Sequence, residues 1–362
     1  MKKTLLFTIF LSACFSAHSQ LVVTNTETPE ELILNTFMGQ NASITNVKFN
    51  GSTTNAQMIR DQVGRFSNGT DGLSVSQGLL LATGKAILAA SANNQTGATN
   101  ATSLPITGDP DLALITTNTV RNVGIIEFDF VPNFNTVLFE FIFASEEYPT
   151  FVNSQFNDVF GLFLSGPGIS GTFSNNAVNI ATIPGTSLPI TINNLNNGTT
   201  NNGPCEYCSY YVNNTTTGQN PNTGPSTVQY NGRTIELTAS GTVTPGQTYH
   251  LKFAIANVGD NSLDSGMFLT AGSFRSAMLA NDNFTTEKIK MYPNPANDVV
   301  HISSTDAISN ITVYDMQGRS LMAVPAGGTN LDLTTSELST GTYIVEFQSI
   351  NSGKSTQKLI IR

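Results

Sequence analysis

Period-two alternation of large apolar residues constrains this chain more than any other feature. In IIEFDF, Ile126, Phe128 and Phe130 share one face while Glu127 and Asp129 share the other, the pattern of a half-buried strand. TVLFEFIFA places Val137, Phe139, Phe141 and Phe143 together, and its second face, Leu138, Glu140 and Ile142, is mostly apolar too. DVFGLFLSG continues in this style. TYHLKFAIANVGD follows a Pro245-Gly246 turn and sets Tyr249, Leu251, Phe253 and Ile255 on one side. One short helical candidate, PEELILNTF (Pro29 to Phe37), precedes these segments. Many short strands with Gly, Pro and Asn turns between them predict an all-β fold, a jelly-roll-like β-sandwich.

The 362 residues suffice for two domains. Residues 1–20 read as a secretory signal: Lys2 and Lys3, an apolar run from Leu5 to Ala17, then small residues before a cleavage point near Ser19 or Gln20. LSAC (Leu11 to Cys14) offers a second reading, a lipidated Cys14. No later stretch approaches the roughly 18 apolar residues of a spanning helix, so no transmembrane span is expected. Of 16 Lys and Arg, loss of Lys2 and Lys3 leaves 14 against 25 acids, a net charge of −11. With no basic cluster to neutralise phosphates, the composition argues against nucleic acid as a partner. Asn, Thr, Ser and Gly are plentiful, as in an exported β-protein with uncharged loops. A long polar loop runs from Asn193 to Ser226, and composition shifts again at ANDNFTTEKIK. The expected organisation is a sandwich domain over 21–280, a linker over 281–290, and a small immunoglobulin-like β-sandwich over 291–362.

Cys205 and Cys208, in PCEYC, are the cysteines that remain after the signal. Outside the cytoplasm a short-loop disulfide is the expectation, with free thiols as the alternative. A zinc site needs further Cys or His ligands, and His250 and His301 lie in different segments. His250 is also the sandwich domain's sole candidate for a Ser-His-Asp arrangement, and its alternation with Leu251 and Phe253 places it on the outer face beside Lys252. The acids carry more chemistry. Glu146, Glu147, Asn157 and Asp158 sit near strand ends in FASEEYPTFVNSQFNDVF, while Asn257, Asp260, Asn261 and Asp264 occupy ANVGDNSLD. Three readings stand. As oxygen-only donors, Glu146, Glu147, Asn157, Asp158, Asn257, Asp260 and Asp264 suit Ca²⁺. As carboxylate pairs they suit a glycoside hydrolase. As turn residues they cap backbone amides and fix loop shape.

The tail resembles the type IX secretion sorting domain of type A. The carrying residues are YPNPAND (Tyr292 to Asp298), ITVYDMQGR (Ile311 to Arg319), LSTGTYIVEF (Leu338 to Phe347) and the terminal KLIIR. Pro293, Asn294, Pro295, Gly318, Gly341, Tyr343 and Lys358 are its candidate signal residues. The resemblance implies handling by the type IX machinery, export across the outer membrane, and a cell-surface or extracellular location. The passenger resembles the choice-of-anchor L domain family through GDPDL (Gly108 to Leu112), FASEEYPTFVNSQFNDVFGLFLSGPG, YYVNN and KFAIANVGDNSLDSGMFLTAGSF. That family's chemistry is not established. The expectation is therefore a non-enzymatic surface protein that adheres to or recognises extracellular material, with glycans as ligands and Ca²⁺ as the candidate ion. A secreted glycoside hydrolase and a structural surface-layer protein are the alternatives.

Overall fold

The computed structural model describes residues 20–53, 61–91, 93, 108–215, 228–277, 289–316, 318–349 and 354–362. The signal segment with Cys14, residues 216–226 of the polar loop, and 281–288 of the linker lie outside them. The chain divides into two compact units, up to Ser276 and from Ala277. Ile289 and Lys290, read above as the end of the linker, already belong to a strand of the second unit.

In the first unit the strands are β1 (Val22–Thr24), β2 (Ala42–Phe49), β3 (Val63–Ser67), β4 (Gln77–Ala82), β5 (Val120–Pro132), β6 (Thr136–Ser145) and β7 (Val159–Ser165). There follow β8 (Val178–Asn179), β9 (Tyr211–Asn213), β10 (Gly232–Thr234), β11 (Leu237–Thr242), β12 (Tyr249–Val258), β13 (Ser265–Thr270) and β14 (Arg275–Ala277). One sheet runs β1-β3-β4-β13-β6-β10-β9, with β11 and β14 also on β6; the other runs β2-β5-β12-β7-β8. Pairing is antiparallel along both strand orders and between β11 and β6, and the chain passes repeatedly from one sheet to the other.

The alternating residues meet where the pattern places them. Val137, Phe139, Phe141 and Phe143 of β6 face Ile126, Phe128 and Phe130 of β5 and Leu251, Phe253 and Ile255 of β12, all buried in one cluster. Burial of each such side chain contributes about 1.5–3 kcal/mol. The predicted helix begins at Pro29 as α1 (Pro29–Leu32) and widens into a turn over Ile33–Phe37. Thr28 and Glu31 close a reciprocal cap at its start. The turn delivers Phe37 into the core, where its ring lies 5.5–6.5 Å from Phe128, Phe139, Phe253 and Phe274. The second face of β6 is covered as well: Ile142 and Ala144 pack with Phe66, Leu80, Tyr230 and Phe268.

The second unit comprises β15 (Ile289–Tyr292), β16 (Val299–Tyr314), β17 (Ser320–Thr334), β18 (Gly341–Ser349) and β19 (Lys354–Ile361), one antiparallel sheet curled over its own core of Ile302, Ile311, Val313, Val345, Phe347 and Leu359. The candidate signal residues hold its turns and ends. Pro293 and Pro295 flank Asn294, whose side chain donates to Lys358 O (2.7 Å) and accepts from Ile360 N (2.9 Å). Gly318, at φ +79°, makes the Asp315–Arg319 turn, which a side chain would strain. Gly341 opens β18, and the buried Tyr343 donates its hydroxyl to Ser339 O at 2.6 Å.

Candidate functional site

Two connections carry the acids, and register brings them together. One leads from β6 to β7 (146–158), the other from β12 to β13 (259–264). Ser145 at the end of β6 pairs with Ser265 at the start of β13, and Val159 at the start of β7 pairs with Ala256 near the end of β12. Both crossovers therefore lie side by side at one end of the sandwich.

Asp158 is the anchor. Fully buried, it accepts hydrogen bonds from Ser265 Oγ (2.6 Å), Asn257 Nδ2 (3.0 Å) and Val258 N (2.9 Å). Asn257 Nδ2 also donates to Leu263 O (2.9 Å), and its Oδ1 accepts from Asn122 Nδ2 (3.1 Å). Asp260 caps its own loop by accepting from Ser262 N at 2.9 Å. Asn157 turns away and accepts from Asn193 N at 2.8 Å, fastening the start of the polar loop. Four of the seven candidate ligands thus spend oxygens on protein donors, as turn-fixing residues do.

The remaining acids take two directions. Glu147 is buried, and its Oε2 has no hydrogen-bond partner among the described residues. Burial and the negative charges of Asp158 and Asp260 push the Glu147 carboxyl up to about 9. Burial pushes Asp158 up to about 8 against its three hydrogen bonds. On the other side, Glu146 N donates to Asp264 O at 3.0 Å, and burial first, then the negative charges of Asp264 and Glu146, hold the phenol of Tyr230 well above its usual range. Asp264 fills the space beside Gly84, where a Cβ would lie 2.2 Å from its Oδ2. Among the described residues no three His, Cys, Asp or Glu side chains form a group spaced to hold a metal ion.

A second polar cluster went unpredicted. On the outer face of β5 and β12, His250 Nδ1 lies 2.7 Å from Asp129 Oδ1, and its Nε2 lies 3.5 Å from Glu127 Oε2. The hydrogen bond to Glu127, joined by Asp129 and opposed by burial, raises the His250 pKa. Next to it, Lys252 pairs with Asp109 and Asp111 and lies 5.3 Å from the Phe163 ring centroid. This joins the GDPDL block to the strand KFAIANV. The signal was present in the sequence, since EFD and HLK are alternating segments of complementary charge.

Cys205 and Cys208 form a disulfide in the polar loop. Four tyrosines serve as packing residues: Tyr148, Tyr211, Tyr230 and Tyr249 are buried, and Tyr148 donates to Leu195 O at 2.7 Å. No helix of the described residues is long and apolar enough to cross a membrane.

Comparison with known proteins gives the context. Residues 290–362 match the secretion system C-terminal sorting domain, which directs export across the outer membrane to the cell surface or the extracellular space. A search of curated proteins gives no match. Among solved structures, PorZ, a surface component of the type IX secretion system of Porphyromonas gingivalis, is 15% identical over 30% of this chain and 14% of its own, with a TM-score of 0.20. Ruminococcus gnavus β-glucuronidase is 10% identical over 66% of this chain and 36% of its own (TM-score 0.17). The adhesin domain of Epf from Streptococcus pyogenes is 10% identical over 68% and 80% (TM-score 0.21). The chain thus spans well under half the length of the first two. Residues 21–275 match the choice-of-anchor L domain, and the chain belongs to that family.

Proposed function

We propose that this exported protein is a non-enzymatic recognition or adhesion module for extracellular material, with glycans as its ligand class. The observation that supports this is the contrast between its acids and its open surface. Glu146, Glu147, Asp158 and Asp264 are enclosed, whereas a glycosidase must set two carboxylates around an accessible sugar. A solvent-facing cavity of about 400 Å³ lies instead beside Leu114, Phe173, Asn179, Thr182 and Ser187, and none of its lining residues carries a carboxylate, thiol or imidazole. Apolar faces with a few hydroxyls and amides suit binding. Leu114, 63% exposed, can be changed without touching the core. A glycan array probed with the full chain should give a defined set of bound glycans, and Leu114→Asp should reduce that binding several-fold with Tm unchanged. Silence across the array would favour a structural surface-layer role; turnover of a bound glycan would favour the hydrolase.

A second reading concerns the acidic crossovers, where the orphaned Glu147 Oε2 calls for either a proton or a cation. With a proton, the folded state holds protons that the unfolded chain releases near pH 4. The contribution of these two groups to stability is then most favourable at about pH 4 and below, and it is lost as pH rises to their folded values of about 8 and 9. With Ca²⁺ bound, millimolar calcium restores Tm at pH 8.5 and has little effect at pH 5. Thermal melts with calcium or chelator at both pH values separate the two. Glu147→Gln should flatten the pH dependence, and equal melts with and without calcium at pH 8.5 would remove the ion.

A further inference from the structure

The end of the sandwich opposite the acidic crossovers holds a second cavity, of about 280 Å³. Opposite follows from register: β13 runs from Ser265, beside the acids, to Thr270, which pairs with Gly78 at the start of β4. The turn after α1 and the turn after β13 form the walls. Gly272 N donates to Thr36 O (2.8 Å), and Gly39 N donates to Phe274 O (2.7 Å). The two turns touch so closely that a Cβ on Gly39 would lie 2.2 Å from Gly272 O. This stitching makes the cavity preformed, and a preformed site spares a ligand the cost of ordering it.

The lining is a set of polar groups around a single cation. Thr36 is 7% exposed, and its hydroxyl has no hydrogen-bond partner among the described residues. Arg65 projects from β3, pairs with Glu27 through one terminal nitrogen, and leaves its buried Nε without a partner. Asn35 and Gln77 bring amides to the rim, and Met38 supplies an apolar wall. A buried hydroxyl left unpaired is unfavourable, so Thr36 favours an incoming polar group.

We propose that this cavity binds a carboxylated monosaccharide, a uronic acid residue of an extracellular polysaccharide. The guanidinium matches a carboxylate, with planar donors suited to its two oxygens. The hydroxyl and the two amides each offer donors and acceptors, as ring hydroxyls require. The volume suits one sugar ring with its substituents and excludes a folded peptide. The acidic balance of the chain, −9 overall, repels polyanions at long range, but screening confines that repulsion to about 8 Å at physiological salt. Contact recognition by Arg65 therefore survives where steering does not.

The proposal rests on the surface-recognition reading, and its test keeps the two apart. Titration of the full chain with glucuronate- and galacturonate-terminated oligosaccharides should show binding, with neutral glucose and galactose oligosaccharides at least ten-fold weaker. Arg65→Gln should weaken uronate binding at least ten-fold, and Thr36→Val several-fold, at unchanged Tm. Glu27→Gln, which relieves Arg65 of its competing carboxylate, should tighten it. Thr36→Val and Glu27→Gln carry the test if Arg65→Gln fails to fold. Neutral sugars binding equally well, acetate competing as effectively as uronate, or uronate affinity unmoved by Arg65→Gln would each overturn the site. Glycan binding that depends on Leu114 and excludes uronates would overturn this cavity and leave the broader reading intact; no glycan binding at all would overturn both.

Discussion

A chain lacking residues 291–362 is expected to disappear from the cell surface and the medium and to accumulate inside the outer membrane. The effect should be complete, because the deletion removes the whole matched sorting domain apart from its first residue. The outcome is interpretable because, among the described residues, the tail has its own core, drawn from Ile289, Ala296 and strands of the second unit. The sandwich clusters, among the described residues, are likewise built from the first unit. Loss of delivery therefore reads as loss of sorting and not as misfolding of the passenger. Fractionation followed by protease accessibility on intact cells measures it, and unaltered export would refute the tail's role. Asn294→Ala, which unties the Lys358 and Ile360 backbone, should give a graded version of the same defect.

Asp158→Ala is expected to be the most damaging single change at the acidic end. It removes the acceptor of three hydrogen bonds and strands the Val258 N–H in the interior. Ser265 keeps Ser145 Oγ at 2.8 Å and Asn257 keeps Leu263 O at 2.9 Å, so those donors are partly rescued. Removing a buried acid also removes its desolvation cost, which offsets part of the loss. The balance is about 3 kcal/mol, or roughly 6–12 °C in Tm for a domain of this size. Asp158→Asn retains one acceptor oxygen and should lose about half as much. A melting temperature within about 2 °C of the unaltered protein would show that Asp158 does not anchor the crossovers.

The sandwich was legible because burial imposes a period of two on each strand, and the phenylalanines of β5 and β6 and the Tyr249, Leu251, Phe253, Ile255 series of β12 keep that period. The helical turn was legible for a different reason: Thr28, Pro29 and Glu31 are a local start signal. What Asp158 does was not, because its partners arise from tertiary pairing. Ser265 lies 107 residues away and Val258 lies 100 away, and one of those partners is a backbone N–H that no side-chain motif announces. The acids were readable as oxygen donors, and the Asp260 cap on Ser262 N is local; that Asn157, Asp158 and Asn257 already face protein partners depends on tertiary placement. His250 was correctly put on the outer face, yet its two acidic neighbours required knowing that β12 pairs with β5. Arg65 offered less still, since VGRFS reads as an ordinary short strand whose one charge could face solvent.

The last residues of the sandwich have a mechanical consequence. Ser276 donates its backbone N–H to Gln40 O (3.1 Å), just before β2, and its hydroxyl accepts from Phe134 N (2.7 Å) in the turn between β5 and β6. β14 itself pairs with β6. If a surface-held copy is pulled through the chain that follows Ala277, the tension enters both sheets at once, through β6 on one side and the β2–β5 edge on the other. Load sharing of this kind makes the sandwich yield as a unit instead of unravelling strand by strand from its C-terminal end.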